Sequence, residues 1–238
     1  MKNSSITNAE RFSFSANLGF LWKELPFLDR ILQAKEHEFS AIEFHDEAQS
    51  CNLQDLQIVL NQTKLPVCSL NTRMGTTSGC AAIPEFATQA KEDVDQAIQT
   101  AKAIGAQAIH VVAGVASGTD AHRTYLNTLR YALGQTDKTI LIEPISHTQN
   151  PGYFLRTMGQ AAVILDEIDH SRLKIMFDCY HVHSEGGNVL IDGGVLEGEG
   201  YESGCYVKPA IAEANNNFEI VQHETFAPVL YLLRFPAW

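Results

Sequence analysis

The sequence has few basic residues and no cluster of them. Its 238 residues contain 17 Lys and Arg against 28 Asp and Glu, which gives a formal net charge of -11 at pH 7. Proteins that bind nucleic acids neutralise the backbone phosphates with clustered Lys and Arg. We therefore expect no nucleic-acid partner, and an acidic surface of this kind mainly favours solubility.

The sequence also lacks a long apolar run. No stretch approaches the roughly 20 apolar residues of a membrane-spanning helix, and the polar N-terminal residues 1–8 lack the apolar core of a signal peptide. The chain has five cysteines, an odd number, and their spacing does not match that of a disulfide framework. This pattern is typical of reduced thiols. These absences predict a cytoplasmic protein with no membrane partner, and they leave both a monomer and a homo-oligomer open.

Short apolar runs alternate with amphipathic stretches over the first three quarters of the chain. The runs at 12–16, 41–44, 66–70, 108–112, 139–143 and 173–178 predict buried parallel strands. The stretches between them predict helices, two of which are expected to end at Gly105 and Gly134. Repeated units of this kind form either a barrel or a doubly wound sheet. The first strand is followed by a single glycine, Gly19, instead of a dinucleotide-binding fingerprint, so the barrel is favoured.

The pattern changes after Glu185. Seven glycines fall between residues 186 and 204, and two later runs, 205–211 and 229–235, predict strands. We therefore predict an α/β fold, namely an incomplete (β/α) TIM-type barrel of about six β/α units. A β-rich, Gly-rich segment follows it, with the boundary between 1–185 and 186–238, and this tail is not expected to form an independent domain.

Two predicted strands end in a carboxylate, Glu143 on the fifth and Asp178 on the sixth. In a parallel barrel such residues converge at one face, where two buried carboxylates repel each other unless a cation lies between them. Oxygen ligands favour Mg²⁺ or Mn²⁺ over Zn²⁺. The alternative is that both acids cap helices or pair with Lys and Arg. His181, just past the sixth strand, is a candidate for binding a substrate hydroxyl or carboxylate.

Three further residues are candidate substrate contacts. His45 follows the second strand, and Asn71 and Arg73 follow the third. The alternative for His45 is a solvated loop histidine.

Six motifs in this order resemble the hydroxypyruvate isomerase family of xylose isomerase-like TIM barrels. They are FSANLG at 14–19, AIEFH at 41–45, LNTR at 70–73, IEPI at 142–145, PGYF at 151–154 and MFDCYH at 176–181. The resemblance covers about residues 1–185. It implies an intramolecular oxidoreductase that converts hydroxypyruvate to tartronate semialdehyde, or a similar hydroxy-keto acid or sugar-like substrate, through a metal-stabilised cis-enediolate and without an organic cofactor.

The same resemblance implies roles for individual residues. Glu143 matches the fifth-strand metal ligand that also acts as one of two acid/base glutamates. Asp178 matches the sixth-strand metal ligand, and His181 matches a substrate-contacting histidine of related sugar epimerases. The family's seventh-strand glutamine ligand and eighth-strand glutamate have no counterpart after Glu185.

The tail resembles a different family. The motifs EGGNVL at 185–190, GGVLEGEGY at 193–201 and ETFAPVL at 224–230 are similar to a late segment of aldehyde dehydrogenases, in which the glutamate matching Glu224 contacts the nicotinamide ribose. The chain is therefore interpreted as a fusion joined near Gly186 and Gly187. This leaves two alternatives to a hydroxypyruvate isomerase: an inactive remnant or a subunit that needs a partner chain, and a related 2-oxo-tetronate isomerase or sugar epimerase.

Overall fold

The computed structural model describes residues 14–184 and five short stretches nearer the C-terminus, 189–191, 194–195, 207–208, 210–214 and 229–233. The first residues of the predicted strand 12–16, the predicted boundary between residues 185 and 186, and the motif around Glu224 lie outside the described residues. The chain divides into two compact units.

Six strands form one parallel sheet, with helices between them. The strands are β1 (Ser15–Asn17), β2 (Ala41–Phe44), β3 (Val67–Asn71), β4 (Ala108–His110), β5 (Thr139–Ile142) and β6 (Leu173–Ile175). The helices up to residue 184 are α1 (Phe27–Glu36), α2 (Glu47–Ser50), α3 (Leu53–Thr63), α4 (Ala87–Ile104), α5 (Gly118–Gln135), α6 (Met158–Ile168) and α7 (Cys179–Ser184), with a 3₁₀ turn at Pro84–Phe86. The strands follow one another in chain order across the sheet, whereas a doubly wound sheet reverses direction. This order confirms the predicted barrel-type α/β fold.

The core lies between this sheet and its helices. Leu70, Ile109 and Ile140 are register partners on β3, β4 and β5, and all three are fully buried. Burying an aliphatic side chain of this size stabilises the fold by roughly 1.5–3 kcal/mol. A continuous apolar layer of this kind explains why the strands appear in the sequence as uninterrupted apolar runs.

One of the two predicted helix ends is correct. Helix α4 ends at Gly105, which has the left-handed conformation (φ 72°) that glycine adopts without steric cost. The prediction that the next helix ends at Gly134 is wrong, because α5 continues to Gln135 and stops where Thr136 turns extended. Gly134 is not among the glycines with positive φ, so it has no capping role.

Two loops at the C-terminal end of the sheet pack backbone against backbone. Gly79, in the loop after β3, has φ 92°, and a Cβ atom there would fall 2.2 Å from the carbonyl oxygen of Val112. Gly114, in the loop after β4, has φ 89°, and its Cβ would fall 2.4 Å from the carbonyl oxygen of Gly79. Only glycine fits both positions, so the loops that border this end of the sheet are held in one arrangement.

The described strands nearer the C-terminus form two small sheets. Strand β10 (Ala210–Ala214) lies between β7 (Val189–Ile191), which is antiparallel to it, and β11 (Val229–Leu233), which is parallel. Strands β8 (Gly194–Val195) and β9 (Val207–Lys208) form an antiparallel pair. The predicted strand runs 205–211 and 229–235 contain β9, the start of β10, and β11. None of the helices in the described part of the chain has the length and apolar character needed to cross a bilayer.

Candidate active site

Polar side chains occupy the C-terminal ends of five neighbouring strands. They are Glu43 and His45 at the end of β2, Asn71 on β3, His110 on β4, Glu143 directly after β5 and Asp178 after β6. Because the strands are parallel, these ends lie at the same edge of the sheet, where barrel enzymes hold their reacting groups.

Glu143 is a largely buried carboxyl group. Its side chain is 13% exposed. Burial, followed by repulsion from Asp178 and then from Glu43, raises its pKa to about 8. Glu43 in turn accepts a 3.2 Å hydrogen bond from the hydroxyl group of Ser69. The raised pKa means that a further negative charge on Glu143 is costly at this end of the sheet, and a nearby cation would offset that cost.

Asp178 and His181 complete a group that suits a metal ion. Asp178 lies three residues beyond β6 and directly before α7, which carries His181. One potential ligand atom from each of Glu143, Asp178 and His181 lies within 4.8 Å of the others. Two mutually repelling carboxylates and an imidazole are the donor set expected of a cation site, because the cation removes the repulsion. The group is compatible with a divalent metal, and it brings together the three residues that the sequence placed at the centre of the site.

His110 also lies beside Glu143, and the sequence reasoning missed it. It is the last residue of β4 and is 1% exposed. Its Nδ1 is 3.2 Å from Oδ1 of Asn71 and 3.8 Å from Oε2 of Glu143. Burial, followed by the charge of His45, lowers the pKa of His110 to about 3, so the ring is neutral. The one signal in the sequence is a histidine inside the otherwise apolar run 108–112.

Asn71 and His45 are connected to each other and to His110. The backbone N–H of Asn71 donates to the carbonyl oxygen of His45 at 3.0 Å, and the Asn71 amide oxygen binds His110. The ring of His45 packs edge-to-face against Phe20, with 4.8 Å between the ring centroids. A Cβ atom on Gly19 would fall 2.5 Å from this imidazole. Both predicted contacts therefore lie at this end of the sheet, and their role in substrate binding stays a prediction.

The guanidinium group of Arg73 binds a different part of the protein. Its Nε donates to Oδ1 of Asp93 on α4 at 3.0 Å, and half of the Arg73 side chain is exposed. Gln89 and Cys80 also bind the carboxylate of Asp93, at 3.0 and 3.3 Å. These contacts connect the loop after β3 to α4. The predicted contact between Arg73 and the substrate stays a prediction.

Two buried tyrosines lie near enough to Glu143 for its charge to affect them. The hydroxyl group of Tyr125 donates to the carbonyl oxygen of Val111 at 2.8 Å, and that of Tyr153 accepts from the backbone N–H of Ala113 at 2.9 Å. The pKa of each tyrosine is raised above the ordinary tyrosine value, mainly by burial, and the charge of Glu143 raises it further.

Comparison with known proteins gives a consistent family. Residues 31–221 match the model of the family described as "Xylose isomerase-like TIM barrel". The chain is 33% identical over 193 residues to a 2-oxo-tetronate isomerase of Cupriavidus necator, covering 75% of this chain and 72% of that protein. It is also 33% identical over 187 residues to a hydroxypyruvate isomerase of Escherichia coli, covering 74% and 72% of the two chains.

Solved structures of the same fold are similar as well. A family 2 AP endonuclease from Brucella melitensis superimposes with a TM-score of 0.69 at 26% identity, covering 74% of this chain and 71% of the other. A D-allulose 3-epimerase from Methylomonas sp. superimposes with a TM-score of 0.60 at 15% identity, covering 75% and 66%, a likeness that concerns the fold alone. The aldehyde dehydrogenase resemblance of the tail stays a prediction.

Proposed function

Because the chain belongs to the xylose isomerase-like TIM barrel family, we propose that it is an aldose–ketose isomerase of the hydroxypyruvate isomerase type. Its curated relatives are isomerases of small hydroxy-keto acids. The observation that carries the proposal is the buried Glu143 carboxyl group beside Asp178, since an isomerase of this kind needs a carboxylate next to the reacting carbons.

The proposed reaction moves one hydrogen between adjacent carbons. From hydroxypyruvate, a base removes a proton from C3, and a proton returns to C2 as the C3 hydroxyl becomes a carbonyl and the C2 carbonyl becomes a hydroxyl. Atoms and electrons balance without an oxidant or an organic cofactor. Glu143 is the group that we assign to this transfer.

Glu143 and Asp178 would hold a divalent metal, with His181 as a further ligand or as a contact to the substrate. Such an ion would neutralise the two carboxylates and polarise the oxygens of the substrate. Carboxylate ligands favour Mg²⁺ or Mn²⁺. Asn71 and His45 lie at the same end of the sheet and are the side chains that we assign to orienting the substrate.

A 2-oxo-tetronate is the second candidate substrate. The relative from Cupriavidus necator, which carries that name, is as similar to this chain as the hydroxypyruvate isomerase is. The two substrates differ by one CHOH group, so rates measured on both acids under the same conditions decide between them.

The experiment is isomerisation in D₂O, followed by ¹H NMR with Mg²⁺ or Mn²⁺ added. We expect the purified chain to form product from one of the two acids, with solvent deuterium at the carbon that receives the proton. E143Q keeps the shape of the side chain and removes its basicity, so we expect it to lower kcat at least about 100-fold. E167Q is the matched control, because Glu167 lies at the surface and binds His122.

The same variants separate a working site from an inactive remnant. In a calorimetric Mn²⁺ titration, we expect the chain to bind the ion and E143Q to lose that binding, while E167Q retains it. A chain that neither binds Mn²⁺ nor turns over either acid would contradict the proposed function and favour the remnant or the subunit that needs a partner. Homo-oligomerisation and cytoplasmic location stay predictions.

A further inference from the structure

His110 has an asymmetric set of contacts that a purely structural histidine would not need. The ring is 1% exposed. Its Nδ1 binds Asn71, whereas its Nε2 is buried and has no hydrogen-bond partner among the described residues. A buried polar atom without a partner costs roughly 1–3 kcal/mol. An apolar residue of similar size would avoid this cost. What the imidazole contributes at this position therefore comes from the contacts of Nδ1.

The tautomer of His110 follows from its partner. The backbone of Asn71 is fixed on both sides, since its N–H binds the carbonyl oxygen of His45 and its carbonyl oxygen accepts from Gln49 at 2.6 Å. Its amide nitrogen faces the sulfur of Met74 at 3.3 Å, which leaves the amide oxygen towards His110. An amide oxygen only accepts hydrogen bonds, so Nδ1 of His110 carries the proton. A second proton on Nε2 would have no acceptor, and the ring is therefore neutral.

The same N–H faces the proposed base. Nδ1 is 3.8 Å from Oε2 of Glu143, just beyond hydrogen-bond distance. Catalytic hydrogen bonds are often long in a protein without substrate and shorten in the complex. Asn71, His110 and Glu143 follow one another on β3, β4 and β5, so the rigid sheet fixes their spacing.

We propose that His110 is a positioning residue, whose single Nδ1–H is shared between the amide oxygen of Asn71 and the carboxylate of Glu143 and so fixes the direction in which that carboxylate faces the substrate. This inference rests on the proposed function, because the role of His110 is to orient Glu143, the proposed base. A neutral donor orients the carboxylate without introducing a positive charge beside a cation site. Asn71 has the supporting role of holding the ring in the donating tautomer.

Three substitutions at position 110 test the role. H110F removes both nitrogens, H110N places an amide N–H near the position of Nδ1, and H110Q places one near Nε2. At saturating Mn²⁺, we expect H110F to lower kcat about 10- to 100-fold, as removal of groups that orient a site residue commonly does, with KM changed less than about two-fold. H110N should recover most of the loss, and H110Q should not. H122N is the control, since His122 lies at the surface.

The kinetic outcomes are decisive in both directions. The proposal is overturned by a kcat of H110F within about two-fold of wild type, by a change confined to KM, or by equal activity of H110N and H110Q. H110N and H110Q have nearly the same composition and polarity, and their thermal unfolding midpoints identify a variant that fails to fold.

A spectroscopic test separates this proposal from the proposed function. In the metal-free chain labelled with ¹⁵N-histidine, the signal of His110 should show a protonated Nδ1 and an unprotonated Nε2, and E143Q should shift the Nδ1 resonance. E167Q should leave it unchanged. If wild type turns over neither acid, the proposed function fails, while the NMR result still supports or overturns the contact. An Nε2–H tautomer, or a resonance that E143Q does not move, overturns it.

Discussion

The hydroxyl group of Tyr153 connects two loops at the C-terminal end of the sheet, so its removal should destabilise the protein. Tyr153 follows β5, and its hydroxyl accepts the backbone N–H of Ala113, in the loop after β4, at 2.9 Å. The backbone N–H of Phe154 also donates to the carbonyl oxygen of Gly114 at 2.9 Å. We expect Y153F to lower the free energy of unfolding, because the Ala113 N–H loses its acceptor.

The expected magnitude follows from burial. Ala113 is fully buried and Tyr153 is 1% exposed, so water does not reach the freed N–H group. A buried donor left without a partner costs about 1–3 kcal/mol. For a chain of this length, 1 kcal/mol corresponds to about 2–4 °C in the unfolding midpoint, and Y153F should therefore unfold about 2–12 °C below wild type.

The assay is urea unfolding followed by circular dichroism, with thermal unfolding as a second measurement. Y131F is the matched control, since it removes the same atom from a hydroxyl group that binds Asp95 outside the core. Y131F leaves only the solvent-accessible carboxylate of Asp95 without this partner, so we expect a small loss in the free energy of unfolding. If the urea midpoints of Y153F and Y131F coincide, the argument from the buried N–H of Ala113 is refuted.

Three further predictions concern other parts of the described structure. G79A should destabilise the fold by clearly more than G105A. Both positions have positive φ, which costs about 1–2 kcal/mol for a side chain, but only at Gly79 would the new Cβ meet a backbone oxygen, at 2.2 Å. Equal urea midpoints for the two variants would count against this. Burial, followed by the neighbouring Asp93, raises the pKa of the Cys80 thiol to about 12. At pH 8, iodoacetamide should therefore modify the exposed Cys179 well before Cys80, and mass spectrometry of the peptides measures both rates. D93N should speed the reaction of Cys80, and an unchanged rate would refute the assigned cause. The guanidinium group of Arg172 donates to the carbonyl oxygens of Leu133, Lys138 and Thr136, so R172A should lower the free energy of unfolding by about 1–3 kcal/mol. R172K should recover less than half of this loss, because an ammonium group lacks the planar fork of donors. Full recovery by lysine would contradict the role of that fork.

Much of the fold is present in local sequence patterns. Apolar runs such as 139–143 predicted strands that the structure contains, because burial of a parallel strand on both faces needs apolar side chains along its whole length. The end of α4 at Gly105 followed from the left-handed conformation that glycine adopts there. The expected end at Gly134 failed because a glycine within a helix has the same local sequence signal as a capping one, and only its backbone angles distinguish the two.

The candidate site was predicted in part. Glu143 and Asp178 were identified from their position at the ends of apolar runs, which is a local signal. His110 was missed because it lies within such a run, where a histidine most often packs without a further role. Asn71 was predicted as a substrate contact, and the structure adds its hydrogen bond to His110, a residue 39 positions away in the chain.

The sequence by itself determined the order of the six β/α units, the family and the two carboxylates, because each of these follows from short local motifs and the order in which they occur along the chain. The tertiary structure decided the pKa of Glu143, the contacts of His110 with Asn71 and Glu143, and the pairing of Arg73 with Asp93. Each depends on distances of a few ångströms between atoms from different strands and helices, and on the exclusion of water around them. Electrostatic energies change steeply with both quantities, and a linear sequence specifies neither.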